Sequence, residues 1–172
     1  MKKTQKLTLT AMLIAIGTLT SNVLFIPLGL TKLFPMQSFI NVLTAVMLGP
    51  YYALAEAFCI SVLRNILGTG SIFAFPGSII GALLAAVLFK KTNKLFMAFF
   101  GEVVGTGIIG AIACYPISTL LLGKQATLFG FIPLFIFSAL GGALIGLLVL
   151  AVFMKNSAVA RMIKQPGHVG KH

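Results

Sequence analysis

Acid is the scarcest thing in this chain: two carboxylates, Glu56 and Glu102, stand against thirteen Lys plus Arg in 172 residues. Tryptophan is absent, and there are two cysteines and two histidines. These shortages exclude much chemistry. No Ser/His/Asp set, carboxylate pair or metal cluster can be assembled, because the acids fall on separate apolar segments and His168 and His172 sit in the tail. Cys59 and Cys114 lie inside apolar runs, where cysteine acts as a small packing residue and not as a disulfide or metal pair. No GxxxxGK[ST] phosphate loop occurs, and Gly105-Thr-Gly107 does not make one. The sequence therefore predicts no enzyme and no cofactor. If such a chain concentrates a solute, the energy comes from another chain or an ion gradient.

Charge as a whole is also short. Only 9% of residues are charged, against roughly 25% in an ordinary soluble domain. Hydrophobic residues make up 59%, and the mean hydropathy is +1.08. A soluble fold of this length could not bury so much apolar surface. A net charge of +11 would normally suggest nucleic acid. Here the cations occupy gaps between apolar runs, as in cytoplasmic loops of membrane proteins. The expected class is an all-α integral membrane bundle of six helices, with residues 1–154 as one transmembrane domain and 155–172 as a basic cytoplasmic tail.

The first run extends from Leu7 to about Pro27 and reads as a retained helix: its basic flank imitates a signal peptide, but the run is long and has no convincing cleavage site. A Pro- and Gly-containing stretch to Pro35 follows. The second run, Met36 to Leu48, stops at Gly49-Pro50, and the third runs from Tyr51 to Leu67. The fourth is expected after Pro76, the fifth over roughly Leu95 to Leu122, and the sixth over Gly130 to Met154. Runs two and four read as about 13 residues, near 20 Å of helix and short for a bilayer. With both termini inside, ten of the cations (Lys2, Lys3, Lys6, Lys90, Lys91, Lys94, Lys155, Arg161, Lys164, Lys171) are cytoplasmic, and only Lys32 and Lys124 are outside. That bias sets the orientation. A re-entrant hairpin over Met36–Leu67 would keep the same parity, so both readings stand.

Orientation gives each polar residue a depth. Asn22, Gln37, Ser38, Asn41, Arg64, Asn65, Ser71, Ser78, Tyr115 and Ser118 fall toward the outer half, from at least five segments. Glu56 and Glu102 fall toward the inner half. Facing lipid, several of these groups would be costly, so a shared outward cavity is the economical arrangement. The stretches 27–35 and 68–76 would cover it, with Phe73 and Phe75 suited to a flat ring. Arg64 either snorkels to headgroups, bonds loop carbonyls or meets substrate. Asn22, Gln37, Asn41 and Asn65 either bond helix to helix or reach the cavity. Ser71 and Ser78 either bond backbone or contact ligand. Tyr115 is a membrane-interface tyrosine or a stacking platform. Pairs of small residues one turn apart, Ala11/Ala15, Gly77/Gly81, Gly101/Gly105 and Gly142/Gly146, allow close helix approach.

The stretches Phe-Pro-Met-Gln-Ser-Phe-Ile-Asn-Val-Leu (34–43), Leu-Gly-Pro-Tyr-Tyr-Ala (48–53), Arg-Asn-Ile-Leu-Gly-Thr-Gly-Ser-Ile-Phe-Ala-Phe-Pro-Gly-Ser (64–78) and Glu-Val-Val-Gly-Thr-Gly-Ile-Ile-Gly-Ala (102–111) resemble the ThiW family. The likeness covers about residues 8 to 150. That family comprises substrate-binding S components of energy-coupling factor transporters, assigned to the thiazole precursor of thiamine. The resemblance implies a six-helix S-component fold in a prokaryotic cell membrane, with a vitamin-type solute bound in its outer half. It implies as partners a transmembrane coupling subunit and two cytoplasmic ATPases, docked through an Ala-xxx-Ala face on helix 1 that Ala11 and Ala15 match. It also implies movement of the whole component within the membrane. One position departs: the family often has Gln-His after the proline, and this chain has Gln37-Ser38.

The expected function is capture of a thiamine precursor, foremost hydroxyethylthiazole, for ATP-driven import. The expected contacts are Asn22, Gln37, Asn41, Arg64, Asn65, Ser71, Phe73, Phe75, Ser78 and Tyr115. A small ring with a hydroxyl tail needs an apolar slot, a stacking face and a few hydrogen-bond groups. Thiamine itself, permanently cationic, would favour a carboxylate or an aromatic cage. Alternatives are another small vitamin or the pyrimidine precursor, a self-sufficient proton-coupled carrier using Glu56 or Glu102, and a non-transporting assembly protein.

Overall fold

A computed structural model describes residues 1–21, 23, 26–28, 31–121, 128–156 and 163; no side chain is described for 24–33 or 120–131. Six helical rods dominate. They are α1 (Lys3–Thr20), α2 (Pro35–Met47), α3 (Pro50–Ile66), α4 (Ala74–Thr92), a compound fifth rod and α7 (Leu128–Phe153). The fifth rod begins as α5 (Leu95–Val104), widens to π-helix over Gly105–Gly110, returns to α6 (Ala111–Pro116) and widens again over Ile117–Leu121. The expectation of an all-α bundle needs one addition. Between α1 and α2, β1 (Ile26–Leu28) and β2 (Thr31–Leu33) pair antiparallel, with Pro27 opposite Lys32.

Local chemistry explains the boundaries. Proline opens α2 and α3 at the first helical position, where its missing N–H costs nothing and its fixed φ suits the helix. Between them Gly49 takes φ +89°, a left-handed conformation that favours glycine. At the end of α3, Gly68 adopts φ +71°. The chain then folds back so that Thr69 N and Gly70 N donate to the Arg64 carbonyl at 2.9 and 2.8 Å. This C-terminal wrap fixes the last turn that carries Arg64.

Run four is longer than its sequence suggests. It begins at Ala74, before Pro76, and spans 19 residues, not about 13. Pro76 sits in the first turn, where the backbone N–H has no partner within the helix. Run one is shorter, since its helix stops at Thr20.

Three stretches, Ala74–Thr92, Leu95–Thr119 and Ile132–Phe153, are long and apolar enough to cross a membrane. The outer surface carries Leu7, Met12 and Leu19 of α1, Phe58 of α3, Phe96 and Phe100 of α5, and Leu144 and Leu148 of α7, all exposed. Asn41, Glu56, Ser61, Arg64 and Glu102 are fully buried. Apolar residues outside and polar residues inside are the arrangement of a protein solvated by lipid.

The short helix α2 is the centre of the bundle. Nine of its 13 residues are buried, and it touches α1, α3, α4, α5 and α7. Surrounded by protein, it need not match the bilayer thickness.

Glycine sets the closest approaches. A Cβ on Gly101 would lie 2.6 Å from Ala85 N, and one on Gly105 would lie 2.6 Å from Gly81 Cα. A Cβ on Gly110 would lie 2.5 Å from Gly77 Cα. These contacts run antiparallel along α4 and the fifth rod. Gly142 meets the Pro35 carbonyl and Gly146 meets Val42, which seats α7 on α2. The glycine pairs are internal packing surfaces. Ala11 and Ala15 instead are exposed, one helical turn apart on α1.

Cys114 is buried, Cys59 partly so, and both are free thiols. Lys6 lies over the Tyr52 ring, 5.7 Å from its centroid, which joins the start of α1 to the start of α3. Met1, Met47, Tyr52, Phe89, Leu95 and Met154 belong to one apolar cluster. Lys2, Lys3, Lys6, Lys90, Lys91, Lys94 and Lys155 therefore share one end of the bundle. Lys32 and Lys124, the two cations expected on the other side, have no described side chain, and Arg161, Lys164, Lys171, His168 and His172 lie outside the described residues.

Candidate functional site

At the opposite end lies a partly open cavity. Its lining comes from the N-terminal half of α2 (Phe34, Gln37, Ser38, Asn41), the end of α3 (Arg64) and the stretch into α4 (Ser71, Phe73, Ala74, Ser78). Thr106 of the first π-helical segment, with Phe135 and Ser138 of α7, completes it. Three rings and a row of hydroxyl and amide groups offer apolar faces with a few directional polar contacts.

Arg64 dominates the electrostatics. It is fully buried. Nη1 donates to Gln37 Oε1, and the guanidinium carbon stands 3.5 Å from the centroid of the Phe34 ring. Gln37 is held in turn by its own donation to Ser61 Oγ at 3.1 Å. Nε and Nη2 are buried with no hydrogen-bond partner among the described residues. The reading of Arg64 as a snorkelling residue therefore does not hold, because α3 presents it inward among α2 and α4.

A second network lies beside it. Asn41 Nδ2 donates to Glu102 Oε1 at 2.9 Å and to Ser78 Oγ at 3.2 Å. Ser78 Oγ also lies 3.3 Å from Asn41 Oδ1. Thr106 Oγ1 lies 2.9 Å from Glu102 Oε1 and 3.1 Å from the Gly77 carbonyl. Asn41, Ser78 and Thr106 all line the cavity, so Glu102 forms the layer directly behind its wall. The sequence places Glu102 apart from the other polar groups. The structure brings it to them because α2 is central and delivers Asn41 to α5. Glu56 is also fully buried, beside the Thr44 hydroxyl and near enough to Glu102 for the two carboxyls to influence one another. Burial removes both acids from any docking surface.

Of the ten expected contacts, Gln37, Asn41, Arg64, Ser71, Phe73 and Ser78 come together in the lining. Asn65 does not; its Nδ2 donates to the Ser61 and Ser71 carbonyls at 2.8 and 3.2 Å, tying the following loop to α3. Phe75 turns away to meet Phe58 edge-on, with centroids 6.0 Å apart. Tyr115 is exposed and outside the lining. Asn22 lies outside the described residues.

Sequence reasoning passed over Phe34, Ser38, Ala74, Thr106, Phe135 and Ser138 as contacts. Ser138 is a lone hydroxyl in a long apolar run, and Thr106 follows Glu102 by one helical turn; both signals were present. Phe34 and Phe135 carried none, since an apolar helix gives no sign of which phenylalanine faces inward. Ser38, where the family resemblance leads one to expect histidine, stands in the lining itself. No group of three or more His, Cys, Asp or Glu that could hold a metal occurs among the described residues.

Comparison with known proteins gives one match. The family described as ThiW, thiamine-precursor transporter protein, matches over residues 7–156. No curated protein matches, and no solved structure matches.

Proposed function

The chain belongs to the ThiW family of thiamine-precursor transporters, and from that premise we propose that it is the substrate-capturing subunit of an ATP-driven importer for the thiazole half of thiamine. The observation that carries this reading is the cavity, with its phenylalanine rings and its amide and hydroxyl groups. It suits a small substituted aromatic ring. No carboxylate lines it, which disfavours the permanently cationic vitamin itself. The proposed contacts are Gln37, Asn41, Arg64, Ser71, Phe73 and Ser78, joined by Phe34, Ser38, Thr106, Phe135 and Ser138. Asn65 acts behind them by holding the loop.

Orientation follows from charge. The lysine-rich end is the cytoplasmic one by the positive-inside rule, so both termini are cytoplasmic and the cavity faces outward. The exposed Ala11 and Ala15 are the proposed seat of a transmembrane coupling subunit, since small residues let a partner helix approach closely. Two cytoplasmic ATPases would then supply the energy. A second reading has one specific support: Glu56 and Glu102 are both fully buried carboxyls close enough to influence one another electrostatically, as a proton-coupled carrier would need.

Uptake of radiolabelled hydroxyethylthiazole separates the two. Cells expressing this chain with a coupling subunit and ATPases should accumulate label, and inactivating the ATPases should abolish it. Uptake that survives ATPase loss but collapses with the proton gradient would replace the importer by the carrier.

A further inference from the structure

The guanidinium of Arg64 is engaged on one face and at one of its three nitrogens. Its face is covered by Phe34, and Nη1 is bonded to Gln37. Nε and Nη2 remain, both buried and both without a hydrogen-bond partner among the described residues. These two nitrogens form a single edge, with parallel N–H groups spaced to fit the two oxygens of a carboxylate or phosphate. Being shielded from solvent, they are not compensated by bulk water.

Neither acid supplies the missing partner. Glu102 Oε1 is bonded to Asn41 and Thr106, and Glu102 Oε2 bonds nothing among the described residues. Glu56 likewise makes no hydrogen bond to Arg64 among the described residues. The chain thus buries a cation in the wall of its cavity and leaves the two nitrogens of this edge without a hydrogen-bond partner among the described residues. A buried charge without a counter-charge is destabilising unless something else meets it. A neutral alcohol could bond to the edge but would leave the charge unbalanced.

We propose that the ligand carries an anionic group, a carboxylate or a phosphate monoester, which the Nε–Nη2 edge of Arg64 grips bidentately while its ring lies among the phenylalanines. This rests on the thiazole reading above and narrows it to an acidic derivative of that ring. The hydroxyl of Ser71, in the same lining, is the available donor for a further oxygen.

The test is calorimetric binding to the purified full chain in detergent. The panel pairs hydroxyethylthiazole with its phosphate monoester and with a carboxylate on the same ring, and pairs hydroxymethylpyrimidine with its phosphate. We expect one or both anionic thiazoles to bind at least tenfold more tightly than the neutral alcohol, and the comparison of the two identifies the anion. Arg64→Met should erase the preference, and Arg64→Lys should retain part of it, having the charge without the fork. The comparison on the unaltered protein stands even where a variant fails to fold. Neutral hydroxyethylthiazole binding as tightly as its anionic forms would overturn the anion while leaving the thiazole reading intact. Preference for the pyrimidine phosphate over every thiazole would keep the anion and discard the ring. Silence of all five on folded protein would refute both.

Discussion

Two glycine-to-alanine substitutions, chemically identical and both in helices, should move stability in opposite directions. At Gly141 an added Cβ meets only Pro35 Cβ at 4.0 Å, an ordinary contact. Relief of backbone entropy should dominate there, with a gain of up to about 1 kcal/mol. At Gly101 the added carbon would lie 2.6 Å from Ala85 N and 2.7 Å from both Ala85 Cα and the Leu84 carbonyl carbon. Those are backbone atoms, which no rotamer change can move. Restoring a normal separation of about 3.5–4.0 Å requires α4 and α5 to part by roughly 1 Å. Overpacking of this kind costs about 1–3 kcal/mol, which exceeds the propensity gain. The separation would also propagate to Gly105 and Gly110, whose contacts on Gly81 and Gly77 lie along the same seam. The propensity gain is common to both sites and cancels, so Gly101→Ala should be less stable than Gly141→Ala by about 1–3 kcal/mol. Loss of far-UV circular dichroism in a graded mixed-micelle denaturation measures this, since the chain has no tryptophan to report. Equal stability of the two variants, within about 0.5 kcal/mol, would refute the account of the seam.

Phe73→Ala should weaken ligand binding by about tenfold, as expected for a lost ring contact of about 1.4 kcal/mol, whereas Phe75→Ala should leave it within about twofold; titration calorimetry on both checks this. Asn65→Ala should remove two bonds to backbone carbonyls, costing about 1–2 kcal/mol of stability, with affinity falling through the loop. A Phe73 environment unchanged by solution NMR in that variant would count against the loop's role. The double substitution Ala11→Leu, Ala15→Leu, on an exposed face, should leave binding by the solitary chain intact and abolish uptake in cells. Retained uptake would remove the proposed docking surface. The Arg64 substitutions should separate charged from neutral ligands as set out above.

Much of the scaffold was legible because lipid imposes simple rules. Long apolar runs broken by Gly49-Pro50, Gly68-Thr-Gly70 and the Lys90 cluster mark helices and turns directly. The start of α4 was misplaced because Pro76 looks like a boundary, yet a proline in the first turn breaks no helical bond. The ribbon at Ile26–Leu28 and Thr31–Leu33 went unread because a three-residue strand has too few positions to show alternation. Polar residues in an apolar chain stand out, so Gln37, Asn41, Arg64, Ser71 and Ser78 could be named. Phe75 and Tyr115 were swept in with them, since an aromatic near a polar layer has no preferred side until the neighbouring helices are placed.

What composition and order alone determined was the class: a membrane bundle, its helices, the basic end, and the scarcity of acid. These follow from transfer free energies and backbone geometry, which act residue by residue. The tertiary structure decided which side each residue faces. It set α2 at the centre, brought Glu102 behind Asn41 and Thr106, turned Phe75 out to Phe58, and closed Phe34 and Gln37 around Arg64. Those outcomes depend on contacts between residues far apart in the chain, Gly81 with Gly105 and Gly142 with Pro35 among them. No local pattern encodes how closely two helices will approach.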